Sequence, residues 1–259
     1  MSIANIAAYK FVGLDDTPAL RERLFAHCAE LALKGTILLA PEGINLFLAG
    51  ARVATDAFLL QLRDDPRFAD IQVKQSTSAI VPFARLRVRL KREIITMRHA
   101  AIRPTDGRAP AVDATTLQRW IERGHDDTGR ELVLLDTRNT YETELGGFTG
   151  AVSYPLAHFS DFPAVIAADR ARYAGKTVVP YCTGGIRCEK AALHMRGLGL
   201  THVYQLDGGI LGYLEHSNGG GWHGACFVFD QRGAINAELA PVAGCQTAAP
   251  APLTTPARA

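Results

Sequence analysis

The sequence predicts an α/β fold in two units, a small βαββαβ module followed by a parallel sheet with helices on both faces. Three observations predict it. Apolar runs in the first 75 or so residues read strand, helix, strand, strand, helix, strand. Strand-like and helix-like segments then alternate from Leu132 to Leu214, the pattern of parallel strands joined by crossover helices. One stretch, Val178 to Ala192, reads as a buried strand, a glycine-bearing loop and a helix. The 259 residues suit two domains, and 47% hydrophobic content supplies a packed core.

In the first unit, Ile6–Val12 is a candidate strand. Asp15-Asp16-Thr17-Pro18 is a helix-start signal. Leu20, Leu24, Cys28 and Leu31 recur at helical spacing, so a helix is expected to about Lys34, with Gly35 as its stop. Cys28 lies on that stripe and reads as core. Thr36–Ala40 and Ile44–Ala49 form a hairpin around Pro41-Glu42-Gly43. Val53–Leu62 is a second helix, ended near Asp64-Asp65-Pro66. Ile71–Lys74 is a fourth strand. This order is the ferredoxin-like unit, which serves many functions and assigns none.

Arg85 to Lys91 alternates cation and apolar residue. As a strand it buries Leu86, Val88 and Leu90 and shows Arg85, Arg87, Arg89 and Lys91 on its other face. Residues 85–98 carry six cations, among them Arg92, against one anion, Glu93. Such a ribbon suits a phosphate backbone, while a solvated edge-strand face is the plainer alternative. The whole chain carries only +2, so any basic footprint is local.

Pro104 to Pro110 is a turn cluster, and Val112 to Gly124 a helix. Leu132–Leu135 is a buried strand ending at Asp136-Thr137-Arg138, and a short helix starts at Tyr141-Glu142. Gly146 to Ala151 turns into another strand. Phe159–Tyr173 is helical in period, and Val203–Leu206 is one more strand. Cys226–Phe229 is a short apolar strand. We expect an N-terminal domain over 1–100 and a linker with a helix over 101–128. A parallel-sheet domain then spans 129–223, and a C-terminal extension spans 224–259, disordered after about 247.

Ligands of open parallel sheets sit beyond the carboxyl ends of the strands. Cys182 and Asp136 both lie there. A helix N-terminus presents free N–H groups and partial positive charge, so Cys182 is expected to be thiolate-prone, helped by Arg187. Four residues, Thr183, Gly184, Gly185 and Ile186, separate Cys182 from Arg187. Cysteine phosphatases place five in that loop. The shorter cradle is the rhodanese pattern, sized for one transferred sulfur, and a buried structural cysteine is the bland alternative. Arg187 is expected to hold the loop through its carbonyls. Asp136 and Arg138 read as a supporting ion pair.

The five cysteines form no repeating framework, which points to a reducing, cytoplasmic setting. No leader or spanning apolar run is expected to mark a membrane. The histidines 194, 202, 216 and 223 lack paired ligand spacing and read as solvent-facing or capping, so no metal site is predicted.

Leu135-Asp136-Thr137-Arg138, Gly147 to Ala151, Cys182 to Arg187 and Asp207-Gly208-Gly209 resemble the rhodanese domain in order and spacing. Adding Lys34 to Asn45, Cys182 to Lys190 and Trp222 to Asp230, the chain over about 5–235 resembles the bacterial rhodanese-related tRNA uridine hydroxylases. That resemblance implies oxygen-dependent 5-hydroxylation of the wobble uridine, tRNA as partner, molecular oxygen as co-substrate and no evident cofactor. It also implies Cys182 as the active-site residue, working through a persulfide. Cys188 stands where a rhodanese loop usually closes with a hydroxyl residue. It either packs or joins Cys182 in a disulfide or polysulfide. Many family members continue with a Cys-x-x-Cys segment, and this chain has only Cys245 there. A plain sulfurtransferase working through a Cys182 persulfide is the alternative, and a non-catalytic tRNA-binding protein a third reading. The sequence is silent on oligomeric state.

Overall fold

The computed structural model describes residues 2–245. The expected disorder after about 247 lies outside them. Strand β1 (Ile3–Phe11), helix α1 (Thr17–Glu30), β2 (Lys34–Ala40), β3 (Gly43–Gly50), α2 (Arg52–Arg63) and β4 (Val73–Ser78) follow the predicted order. With β5 (Leu86–Leu90) they form one sheet in the order β4-β1-β3-β2-β5. The first four strands pair antiparallel, while β5 joins β2 in parallel. Both helices cover one face, where Leu20, Leu24, Cys28, Ile37, Phe58 and Val88 share a core.

Three local expectations are corrected. Helix α1 stops at Leu31, and the chain turns at Ala32, a non-glycine residue with φ of 53°. Gly35 is instead inside β2. A Cβ there would meet the Phe47 carbonyl oxygen at 2.0 Å, so close strand approach, not helix termination, requires glycine. The fourth strand begins at Val73, because Ile71 turns inward under the helices as core. Leu90 is 45% exposed, since β5 is an edge strand whose last residue outruns the helix cover.

The second sheet is built from β7 (Leu132–Asp136) and β9 (Thr177–Tyr181), paired in parallel. Parallel bridges add Val152 beside β7 and Val203 beside β9. Strand β10 (Gln205–Leu206) pairs in parallel with β6 (Ala111–Val112). Helices α5 (Phe162–Ala168) and α6 (Ile186–Gly197) contribute to the core on one face. Helices α3 (Ala114–Arg123) and α7 (Gly209–His216) contribute to the core on the other. Asp113 caps α3 through the Thr116 amide, and Gly124 ends it at φ 74°. Between them in sequence lie the short helix α4 (Thr140–Thr143) and strand β8 (Gly146–Phe148).

The linker expected over 101–128 is therefore only partly a linker, because β6 and α3 complete the second sheet and its core. Of the expected C-terminal extension, residues 224–245 fold onto the second domain. Strand β11 (Trp222–Gly224) pairs with β8, and β12 (Cys226–Phe227) pairs with β13 (Ala234–Ile235). Cys226, Val228 and Ile235 join the α3–α7 core because they are the apolar face of that hairpin. The helical period over 159–173 resolves into a 3-10 turn, α5 and a second 3-10 turn.

Candidate active site

Strand β9 delivers Cys182 to the carboxyl edge of the second sheet, and Gly185 at φ 96° turns the chain into α6. The loop is closed from below by the start of α7. The Ile210 amide donates to the Cys182 carbonyl at 2.9 Å and the Leu211 amide to Thr183 at 3.0 Å. A Cβ on Gly209 would lie 2.5 Å from both the Cys182 oxygen and the Gly185 nitrogen, so this contact admits only glycine. Thr183 adds a hydroxyl bond to the Phe227 carbonyl, 3.3 Å.

Cys182 is fully buried. The Gly185 amide donates to its Sγ at 3.2 Å, and the Cys188 thiol lies 3.4 Å away, donating to the same sulfur. Burial works against a charged sulfur. It is outweighed by the Cys188 S–H, the Arg187 charge and the amides of residues 187 and 188, so the Cys182 pKa falls well below the thiol range. Cys188 moves the other way, raised by burial and by the adjacent Cys182 sulfur. Of the pair, Cys182 is thus the one that favours the charge and Cys188 the one that favours the proton. Because a lowered pKa populates the charged form above it, ultraviolet thiolate absorbance that disappears in Cys182→Ser is expected to be full at neutral pH. It should fade only on acidification, well below the ordinary value of about 8.5. Absorbance that grows in only above neutrality would refute this.

The expectation that Arg187 ties down loop carbonyls is corrected. Its guanidinium makes a bidentate pair with Glu142 at 2.5 and 2.7 Å, both groups buried, while also reaching the Cys182 sulfur. A buried guanidinium needs a carboxylate more than it needs carbonyls. Glu142 is in turn held in place. Its Oε1 accepts from the Asn139 amide at 3.1 Å, and Arg138 donates to its carbonyl at 3.3 Å. Arg138 has no exposed surface and pairs with Asp136 at 2.6 Å while donating to Gly146. The predicted Asp136–Arg138 pair thus exists, one layer behind the loop. The two pairs form a chain from β7 through Glu142 to Arg187 and the sulfur.

The unexpected contribution comes from the first domain. Its helix-free sheet face packs over the loop. Tyr9 donates to Glu189 at 3.1 Å, and its hydroxyl sits 3.2 Å from where a Gly185 Cβ would be. Arg108 completes the Glu189 environment at 3.0 Å. Lys190, 2% exposed, reaches Glu42 at 2.9 Å and Glu93 at 2.8 Å. The Glu42 carboxylate also accepts from the Ile94 amide. So the Pro41-Glu42-Gly43 turn and the two residues after Cys188 form the domain junction. From the C-terminal side Phe229 packs against Phe47, and Phe227 against Tyr141.

Lys74, on β4, leans over the Tyr9 ring at 5.4 Å, and its Cε approaches Gly208. Among the described residues it has no ion-pair partner. Burial lowers its pKa, opposed chiefly by the Cys182 sulfur. Lys74, Phe47, Phe229 and Thr183 line one cleft between the domains.

The basic ribbon shares this face. Register places Arg87, Thr36, Phe47, Ala7 and Lys74 in one row across the sheet. Four strand spacings of about 4.8 Å put the two ends about 19 Å apart. Arg85 and Arg92 are exposed, and Arg87, Arg89 and Lys91 are half-buried. Burial and the charges of Arg85 and Arg89 lower the Arg87 pKa. None of these five enters an ion pair among the described residues.

Nothing in the local sequence singles out Glu142, Lys74, Tyr9 or Phe229 as site residues. The spacing of Asn139 and Glu142 signals a helix start but not a partner 45 residues away. Cys28 and Cys226 are buried with pKa values pushed up to about 12, as inert thiols are. His194 is buried against His99 rather than solvent-facing, with its ring facing the Pro163 carbonyl. Among the described residues no group of three His, Cys, Asp or Glu converges as metal ligands, and no helix is long and apolar enough to cross a membrane.

Comparison with known proteins bears on this site. Residues 3–94 match the UPF0176 acylphosphatase like domain and residues 113–216 the rhodanese-like domain. A Bordetella avium protein named tRNA uridine(34) hydroxylase is 61% identical over 93% of this chain and 100% of its own. Proteins of the same name from Thiobacillus denitrificans and Ralstonia nicotianae are 58% and 57% identical, over 94% and 99% of this chain and 98% and 91% of theirs. Among solved structures, a rhodanese-like domain from Anabaena aligns with 45% of this chain and 80% of its own, at 24% identity and a TM-score of 0.35. With its sulfur cradle roofed by an acylphosphatase-like sheet, and at these identities and coverages, the chain belongs to the tRNA uridine(34) hydroxylase family.

Proposed function

We propose that this enzyme hydroxylates C5 of uridine 34 in tRNA with molecular oxygen as co-substrate, and that Cys182 is its reactive sulfur. The observation behind the role of Cys182 is its Sγ, held by the Gly185 amide, the Cys188 thiol and Arg187 under the first domain's sheet face. The observation behind the RNA is that the same face ends in Arg85, Arg87 and Arg89 without carboxylate partners among the described residues. A polyanion relieves the mutual repulsion of such a row. Lys74, which lines the cleft beside Thr183, offers a hydrogen-bond donor to a base entering it. A cytoplasmic setting follows from this reading, since tRNA resides there and the five cysteines are free.

Sulfane-sulfur transfer through a Cys182 persulfide is the second reading, favoured by a cradle that directs an amide at Sγ. Gene deletion separates the two. Bulk tRNA from the deletion strain, digested to nucleosides, is expected to lack 5-hydroxyuridine derivatives by mass spectrometry. Unchanged tRNA, with loss of thiosulfate-to-cyanide sulfur transfer, would favour the second reading.

The RNA face has its own test. Changing Arg85, Arg87 and Arg89 together to Gln is expected to weaken tRNA binding. The slope of log affinity against log salt should flatten by about 2–3, near 0.9 for each phosphate no longer neutralised. Equal binding with an equal slope would remove these residues from the interface.

A further inference from the structure

We infer that Cys188 is the resolving thiol of Cys182, and that this pair delivers the two electrons the hydroxylation consumes. The inference rests on the reading above for its second half only. Cys188 occupies the third residue of α6, one turn above the loop, with its Sγ 3.4 Å from that of Cys182. Cys28, Cys226 and Cys245 make no sulfur–sulfur hydrogen bond with either of them among the described residues. Both sulfurs are fully buried, so what reacts with them must enter the cradle rather than collide from bulk solvent.

The arrangement bears first on a persulfide. A sulfane sulfur added to Cys182 lies beside a second thiol already in van der Waals contact. Attack by the Cys188 sulfur on Cys182 Sγ forms the Cys182–Cys188 bond and breaks the bond to the outer sulfur. That sulfur leaves as hydrosulfide, taking the electron pair, and the Cys188 proton is released with it. A loop built only to store sulfur is not served by this neighbour. A loop built to cycle between dithiol and disulfide is.

The electron count agrees. Inserting one oxygen atom of O2 into the C5–H bond and reducing the other to water requires two electrons and two protons. Two thiols going to one disulfide supply both. Uridine, O2 and the dithiol become 5-hydroxyuridine, water and the disulfide, with every atom accounted for. An external dithiol then restores the pair by exchange. The geometry suits such a pair, with the Cys188 thiol donating to the Cys182 sulfur, the one whose charged form the loop favours.

The chain carries its own readout. Trypsin cuts after Arg187, between the two cysteines, so a Cys182–Cys188 bond appears as two joined peptides in a non-reducing digest. Full-length reduced protein, freed of reductant, is treated with thiosulfate and quenched with acid. The wild type is expected to yield the joined peptides and free sulfide, and Cys188→Ala the Cys182 peptide heavier by one sulfur. A persulfide equally long-lived in both proteins would overturn the resolving role. Cys188→Ser, closer in shape, guards against a folding artefact and should behave as Cys188→Ala does, with a similar melting temperature.

A second arm tests the electrons. Reduced protein, tRNA and oxygen without added reductant are expected to give one 5-hydroxyuridine per joined peptide pair and then stop. Addition of dithiothreitol should restart turnover. Hydroxylation without the joined peptides would overturn the electron role while leaving the hydroxylase reading intact. Joined peptides with no hydroxylation would do the same, and the gene deletion separately tests the hydroxylase reading itself.

Discussion

Replacing Cys182 with alanine is expected to lower hydroxylation of purified tRNA by roughly 10³-fold or more, the scale of losing an activated nucleophile. Nucleoside mass spectrometry after a timed reaction measures it. Serine should do no better. The cradle stabilises an anion, and a hydroxyl stays protonated where the Cys182 thiol does not. The fold should survive, because the loop is held by backbone bonds from Ile210 and Leu211 and by the glycine contact at Gly209, none of which uses the sulfur. An alanine variant within tenfold of wild type would remove Cys182 from the reaction.

The second large effect is on stability. Glu142→Ala leaves the Arg187 guanidinium buried with no carboxylate. Breaking a buried pair from one side costs about 3–5 kcal/mol. At about 2–4 °C per kcal/mol for a chain of this size, the melting temperature should fall by about 6–20 °C. Scanning fluorimetry measures it. The double variant Glu142→Leu with Arg187→Met should regain much of that loss, since neither charge is then stranded. It should also move the Cys182 titration part of the way back up, because the Arg187 charge has gone while the Cys188 S–H and the backbone amides remain. A single variant that melts with the wild type would show that Arg187 finds another partner.

The outline of the fold was legible because local chemistry determines it. Apolar periodicity located the two domains, the hairpin at Pro41-Glu42-Gly43 and the strand-loop-helix around Cys182. Element ends were less legible where one contact decided them. Gly35 looks like a helix stop, but the turn falls at Ala32, and the glycine is required by the Phe47 carbonyl of a neighbouring strand. The helix over 114–123 was legible, but Ala111–Val112 was not, because a two-residue strand has no periodicity to read. Only pairing with Gln205 and Leu206 assigns it to the second sheet.

At the site, the sequence by itself placed Cys182 at a strand end, followed by the four-residue loop and Arg187, and gave the Asp136–Arg138 pair and the cations of β5. Each of these follows from neighbours within a few residues. Only the tertiary structure decided that Arg187 answers to Glu142, that Lys74 and Tyr9 roof the sulfur, and that the basic strand shares their face. Those partners lie between 45 and about 180 residues apart in the chain. Electrostatics and burial act through space, and no local pattern encodes which distant side chain will meet a buried charge.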